Sequence, residues 1–331
     1  MSRRDATAPP EARGLARDEV RLLSARPEGL ASHEFRCLPE LLEPGDLVVV
    51  NTSATLPAAI DAKRRDGSPV VVHFSTQLDD GDWVVEVRPP APSYGPVPDM
   101  DAGDHLSLPT GARLTLVSPH TPRLWRAHVM TEGGVVELLA LRGRPVTYAY
   151  VREHWPLSAY QTVFARHPGS AEMPSAGRPF SDAVVTELVT RGIAIAPLTL
   201  HTGLSSAEDG EPPQPEWFQV PEGTARLVEH TRRTGGRVVA VGTTVTRALE
   251  SVADVDGSVV AGEGWTDLVL GPQRPARVVT GLVTGWHAPG ASHLSLLAAV
   301  AGDELVRAAY DEAERAGFLW HEFGDSCLLL P

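Results

Sequence analysis

The chain has 331 residues, 42% of them hydrophobic and 21% charged, an ordinary globular mixture that is long enough for two domains and a sizeable core. A formal net charge of −13 argues against a basic coat for nonspecific nucleic-acid binding, though not against a local basic patch. No apolar run approaches the ~18 residues of a membrane span, the N-terminus lacks the apolar stretch of a secretory signal, and Cys37 and Cys327 are too few and too far apart for a disulfide framework or zinc site. These features predict a cytoplasmic protein without a metal or a membrane partner.

Residues 1–24 read as a polar, proline-rich arm ending in a short helix over 16–23. A helical turn stopped by Pro44-Gly45 follows, and 46–50 read as a buried strand. Between 61 and 146 the runs 70–74, 83–88, 112–118, 124–130 and 134–139 are separated by Gly, Pro and Asp turns, which predicts a small antiparallel barrel or sandwich. Residues 89–98 read as a rigid extended loop.

After Tyr148 helix and strand alternate. Helices are predicted over 181–191 (capped by Ser181-Asp182), 225–234 (stopped at Gly235-Gly236), 243–252, 294–301 and 303–316. Strands are predicted over 193–200, 237–241, 265–270 and 281–284. The expected fold class is α/β: a main domain with parallel strands, built from 1–60 and 148–331, carrying an inserted small antiparallel β-barrel domain over 61–147.

The stretch Tyr160-Gln161-Thr162-Val163-Phe164-Ala165 runs into about a dozen small or turn-forming residues, among them Gly169-Ser170 and the segment Pro174 to Ser181. Little apolar surface is available there to offset the entropy of ordering it, so the segment is expected to build no core and to act as an active-site loop.

Other segments carry chemistry. Gly242 follows the strand 237–241 and opens a helix, so Thr243 and Thr244 sit where free N–H groups suit a carboxylate or phosphate; on these residues alone a plain β–α turn is the favoured explanation. Neither a Walker loop nor a dinucleotide fingerprint is present. His287 and His201 each follow a strand, where an imidazole handles protons or holds substrate, or simply makes a structural hydrogen bond. Glu216 follows the proline-rich linker 210–215, as a site carboxylate or a solvated one. His120, His128, His154, His167 and His230 have no partners at useful spacing.

Taken together, these segments resemble the S-adenosylmethionine:tRNA ribosyltransferase-isomerase family of the queuosine pathway. The matching pieces are Pro44-Gly45-Asp46-Leu47 through Asn51-Thr52, Tyr160 to Ala165, Gly169-Ser170 and Ala176-Gly177, followed by Thr199-Leu200-His201 with Gly203. Val241 to Thr244 with Arg247 and Glu250, His287-x-Pro289, and Gly324-Asp325 complete the series. The resemblance implies transfer of the ribosyl part of S-adenosylmethionine to a 7-aminomethyl-7-deazaguanine of tRNA, with isomerisation to an epoxycyclopentanediol and loss of adenine and methionine. S-adenosylmethionine is then a co-substrate and tRNA a partner.

The implied catalytic residues are His287, His201 and Glu216. Thr243, Thr244 and Arg247 would hold the methionine carboxylate, and Tyr160 or Phe164 would stack on adenine. Gln161, Ser175, Gly177, Gly242 and Asp325 complete the implied substrate contacts. Three departures stand out. The family's Leu-His before Phe is Arg178-Pro179, its Asn before Phe-His is Gly285, and the Arg of its Asn-Asn-Thr-Arg is Ser53. They motivate an alternative, a divergent paralogue acting on a smaller acceptor. A second alternative is a noncatalytic S-adenosylmethionine- or RNA-binding protein. The sequence leaves the oligomeric state open, a monomer being the simplest case.

Overall fold

The strongest β formers in the chain make its centre. In the computed structural model, which describes residues 4–90, 95–151, 153–205, 214–287 and 292–331, the valine-rich strands Leu47–Asn51 and Val238–Val241 are buried along their whole length. This is the pattern of strands covered on both faces. They pair in parallel with each other, with Ala194–Leu200 on one side and with Gly281–Gly285 on the other. Flanking strands extend this centre to a nine-stranded mixed sheet, in the order Gly262–Thr266, Glu216–Val220, Ala194–Leu200, Leu47–Asn51, Val238–Val241, Gly281–Gly285, Ser326–Leu329, Arg21–Arg26, Gly29–Glu34.

Side chains alternate between two cores. Leu47, Val49, Val238 and Ala240 meet the helices Glu222–Arg233, Thr243–Ser251, Ser292–Ala301 and Asp303–Ala316. Val48, Val50, Val239 and Val241 meet Phe35–Glu40 and Asp182–Thr190. The Ser181 hydroxyl caps the latter helix by accepting from the Val184 N–H at 3.2 Å. Among the described residues no helix is long and apolar enough to cross a membrane.

The β-rich middle is a closed six-stranded antiparallel barrel of Arg113–Pro119, Trp125–Met130, Trp83–Arg88, Pro69–Gln77, Ala59–Lys63 and His105–Ser107. Its interior is filled by Ile60, Val72, Phe74, Trp83 and Val85, with Phe74 and Trp83 edge to face at 5.4 Å.

Four local expectations are corrected. Residues 16–23 form no helix: Arg17–Glu19 is a single 3-10 turn and Arg21–Arg26 a strand. Leu22 enters one core while Leu23 and Ala25 enter the other, and so short an apolar run has no period to separate helix from strand. Residues 134–139 are not a strand but lie in the helix Val135–Arg142, because burying Leu138 and Leu139 on the barrel outweighs the β preference of Val135 and Val136. The strand predicted over 265–270 covers Gly262–Thr266 and ends where Arg247 takes the Leu268 carbonyl at 3.2 Å.

The segment from Tyr160 to Ser181 does build core. Phe180 is 0% and Tyr160 3% exposed. Phe180 packs edge-on against both Phe35 and Phe164, at 5.0 and 5.2 Å. Some expectations fall on residues outside those described: 1–3 of the arm, 91–94 of the loop 89–98, 210–213 of the linker, and Pro289.

One anchor below the sheet gives a direct stability prediction. Asp46 is 3% exposed and accepts from the backbone N–H of Glu43 and Arg237, both at 2.9 Å, and from the Arg237 guanidinium at 2.6 Å. Burial alone would raise its carboxyl, but Arg237 and the two N–H groups hold it below the usual carboxylate range. Asp46→Asn is expected to lower stability by about 2 kcal/mol at pH 7. A depressed folded-state pKa stabilises above the unfolded value near ~4 and is lost as pH falls through the folded value. Urea midpoints of the two proteins should therefore converge below roughly pH 4; a constant gap would refute the role given to Asp46.

Candidate active site

The four parallel strands end at Asn51, Leu200, Val241 and Gly285, so the residues after them share one rim of the sheet, where α/β folds bind ligands. At ~4.8 Å per strand, His201 and Gly285 stand roughly 14 Å apart across this rim. Asn51 ties the rim together. Its amide oxygen accepts from Leu200 N and Ser53 N, each at 3.0 Å, while its nitrogen donates to Leu200 O at 2.8 Å and reaches Thr244 Oγ1 at 3.4 Å.

Gly242 opens the helix Thr243–Ser251 at φ 92°, a conformation that favours glycine. A Cβ there would stand 3.3 Å from Ala176 Cβ, so the turn Ser175–Gly177 lies directly over the helix start. Thr243 and Thr244 are half-buried at this point, as the sequence places them.

His201 is held by a chain of hydroxyls. Its Nδ1 is 2.8 Å from Ser53 Oγ, which is 2.6 Å from Ser170 Oγ, and the ring stacks on Trp217 at 5.3 Å. Burial, with a smaller contribution from His167, pushes its pKa down to about 4, so the ring is neutral at pH 7. His287 stacks on His293 at 4.3 Å and lies 3.2 Å from Thr284 Oγ1. Burial, followed by His293 and His321, holds it well below the ordinary histidine value.

Glu216 and Arg247 form an internal ion pair rather than two separate site groups. The guanidinium also donates to Thr266 O at 2.9 Å, Leu268 O at 3.2 Å and Gln214 O at 3.3 Å, and Glu216 accepts from Gly203 N at 3.1 Å. Burial raises the Glu216 carboxyl, while Arg247 and the Gly203 N–H pull the other way. With four of its five N–H groups committed inside the protein, Arg247 acts as a clamp beneath the rim.

The aromatic and amide segment also works largely inward. The Gln161 amide accepts from Thr55 N at 3.0 Å and donates to Thr55 O at 2.8 Å, copying a strand neighbour. The Tyr160 ring packs on Phe323 at 5.1 Å, leaving half-buried Phe164 as the accessible aromatic. Gly177 is buried, and a Cβ on it would meet Thr162 Cγ2 at 3.3 Å.

A cleft opens at the Gly285 end of the rim. Its walls include Ser175, Arg178, Pro179, His321, Glu322 and Asp325. Ser175 and Asp325 are thus brought together with both departures at 178 and 179. Asp325 accepts from Arg21 N at 2.9 Å and Leu319 N at 2.8 Å, which fixes the wall.

Glu322 and His321 were not anticipated from the sequence, although two titratable residues just before Gly324-Asp325 were a usable signal. Glu322 accepts from the Tyr150 hydroxyl, and burial pushes its pKa up to about 7. His321 has φ 71°, stacks on Tyr150 at 4.2 Å and pairs with Asp5 at 3.2 Å. A strained non-glycine backbone in a cleft wall is a frequent mark of a functional site.

Residues 2–329 match the family described as queuosine biosynthesis protein. The chain is 34% identical over 323 residues to the S-adenosylmethionine:tRNA ribosyltransferase-isomerase of Gloeobacter violaceus, covering 95% of this chain and 90% of that one. It is 36% identical over 327 residues to the protein of the same name from Symbiobacterium thermophilum, covering 95% and 94%. A crystal structure of S-adenosylmethionine tRNA ribosyltransferase from Thermotoga maritima superposes with a TM-score of 0.53 at 27% identity, covering 98% of this chain and 96% of that one. The chain therefore belongs to the queuosine biosynthesis family of S-adenosylmethionine:tRNA ribosyltransferase-isomerases.

Proposed function

We propose that this enzyme transfers the ribosyl group of S-adenosylmethionine to a 7-deazaguanine base of tRNA and isomerises it, forming epoxyqueuosine and releasing adenine and methionine. The match to the family over residues 2–329 carries this reading. The sulfonium acidifies the adjacent C5′ hydrogens, so a positioned acceptor can remove one and start the rearrangement. The rim offers neutral His201 and His287 as acceptors, and the N–H groups ahead of Thr243 and Thr244 as donors to the ribosyl part. Phe164 is the accessible aromatic for adenine.

With S-adenosylmethionine and tRNA carrying 7-aminomethyl-7-deazaguanine, adenine and methionine should appear in equal amounts, and only when that tRNA is present. No adenine with a competent tRNA would defeat the proposal.

One observation favours a second reading, a smaller acceptor: Pro179, which stands where the resemblance expects histidine, lies in the cleft wall and has neither a proton to move nor a backbone N–H to donate. Adenine release without tRNA would select it.

A further inference from the structure

Arg178 is the least expected residue in the cleft. It is 3% exposed, and part of its fork is committed: Nε donates to Ala159 O at 3.0 Å and Nη2 to Glu11 Oε2 at 2.7 Å. Phe323 lies under the guanidinium at 5.5 Å. Nη1 is buried and has no hydrogen-bond partner among the described residues. A buried guanidinium nitrogen without an acceptor is costly, and since Arg178 lines the cleft, an anionic group bound there would relieve that cost. Glu11 does not neutralise it alone, because Glu11 also faces Arg17 at 3.8 Å, and Arg17 lines the same cleft. Across the wall, half-buried Glu322 supplies a carboxyl to the cleft, with Tyr150 holding one of its oxygens.

We infer that this cleft is a receptor for an α-amino-acid zwitterion, in which Arg178 Nη1 donates to the carboxylate and Glu322 faces the ammonium. The inference rests on the proposed reaction, where that zwitterion is the methionyl end of S-adenosylmethionine. It gives Arg178 the carboxylate role in place of Arg247, four of whose five N–H groups are held by Glu216 and three carbonyls. It also gives the substrate a direction. The methionyl end lies at Gly285, the ribosyl part lies toward Gly242–Thr244, and His201 stands at the far end of the rim. Arginine at 178 then determines specificity for an intact amino acid, through charge-assisted hydrogen bonding that a leucine cannot supply.

Calorimetric titration with S-adenosylmethionine and with its decarboxylated analogue, which keeps the sulfonium, ribose, adenine and amine, tests this. Wild type should prefer S-adenosylmethionine by ~10- to 100-fold. In Arg178→Leu that preference should collapse toward one through loss of S-adenosylmethionine affinity, with the analogue's affinity unchanged. Glu322→Gln should weaken both ligands by the same factor and keep the ratio.

If the leucine variant does not fold, Arg178→Lys, which keeps the charge but not the fork, should show an intermediate ratio. An unchanged ratio in whichever of these variants folds, or equal loss of both ligands in Arg178→Leu, overturns the inference while leaving the proposed function standing. A wild type that binds neither ligand overturns the proposed function itself, and this inference with it.

Discussion

Glu216→Ala is expected to destabilise the protein by about 3–5 kcal/mol, because it removes one partner of a buried ion pair and leaves the other charged. Arg247 would keep three backbone carbonyls but no carboxylate, and Gly203 N would lose its acceptor. The strands Glu216–Val220 and Gly262–Thr266 and the helix Thr243–Ser251 meet at this pair, so the loss should appear in global unfolding rather than local fraying. Urea unfolding followed by far-UV circular dichroism measures it. Glu216→Gln, which retains an acceptor oxygen, should cost less. If Glu216→Gln instead abolished turnover with the urea midpoint unchanged, Glu216 would be a reacting group and the structural assignment would be wrong.

A second large effect comes from a single methyl group. A Cβ at Gly169 would fall 2.5 Å from Nδ1 and Cε1 of His201 and 2.6 Å from its Cγ. The rigid ring cannot yield without leaving Ser53 and Trp217, and the strand His167–Ser170 cannot yield without leaving Ser53–Thr55. Gly169→Ala is therefore expected to lower kcat/KM by ~100-fold through displacement of His201, with a smaller effect on stability. Gly223→Ala is the control, since a Cβ there meets none of the described residues within 4 Å. Unimpaired turnover in Gly169→Ala would remove His201 from the site.

The parallel centre of the fold was legible because its strands are β-branched runs bounded by glycine and proline, as in Pro44-Gly45 before Leu47–Asn51 and Gly235-Gly236 before Val238–Val241. The strand Arg21–Arg26 was not legible, since Leu22-Leu23 fits either period and its pairing with Ser326–Leu329 on one side and Gly29–Glu34 on the other decides between them. The site divides along similar lines. His201 and Gly242 stand beside strands that the sequence marks, so their place on the rim followed from the alternation of elements.

The cleft was hidden because its walls come from segments far apart in the chain. Ser175 and Arg178 meet Glu322 and Asp325 only once the last strand has folded back beside Gly281–Gly285. Several motif residues owe their place to structure. Gln161 copies a strand neighbour for Thr55, and Glu250 accepts from the backbone N–H groups of Arg277, Val278 and Val279 at 2.9, 2.8 and 3.1 Å. A matching motif thus reports the scaffold as well as the chemistry.

Mass analysis of nucleosides from tRNA after incubation with the protein and S-adenosylmethionine tests the central claim most directly. The account predicts that the 7-aminomethyl-7-deazaguanine nucleoside is replaced by one carrying the epoxycyclopentanediol, in step with adenine release. An unmodified base alongside continued adenine release would contradict it.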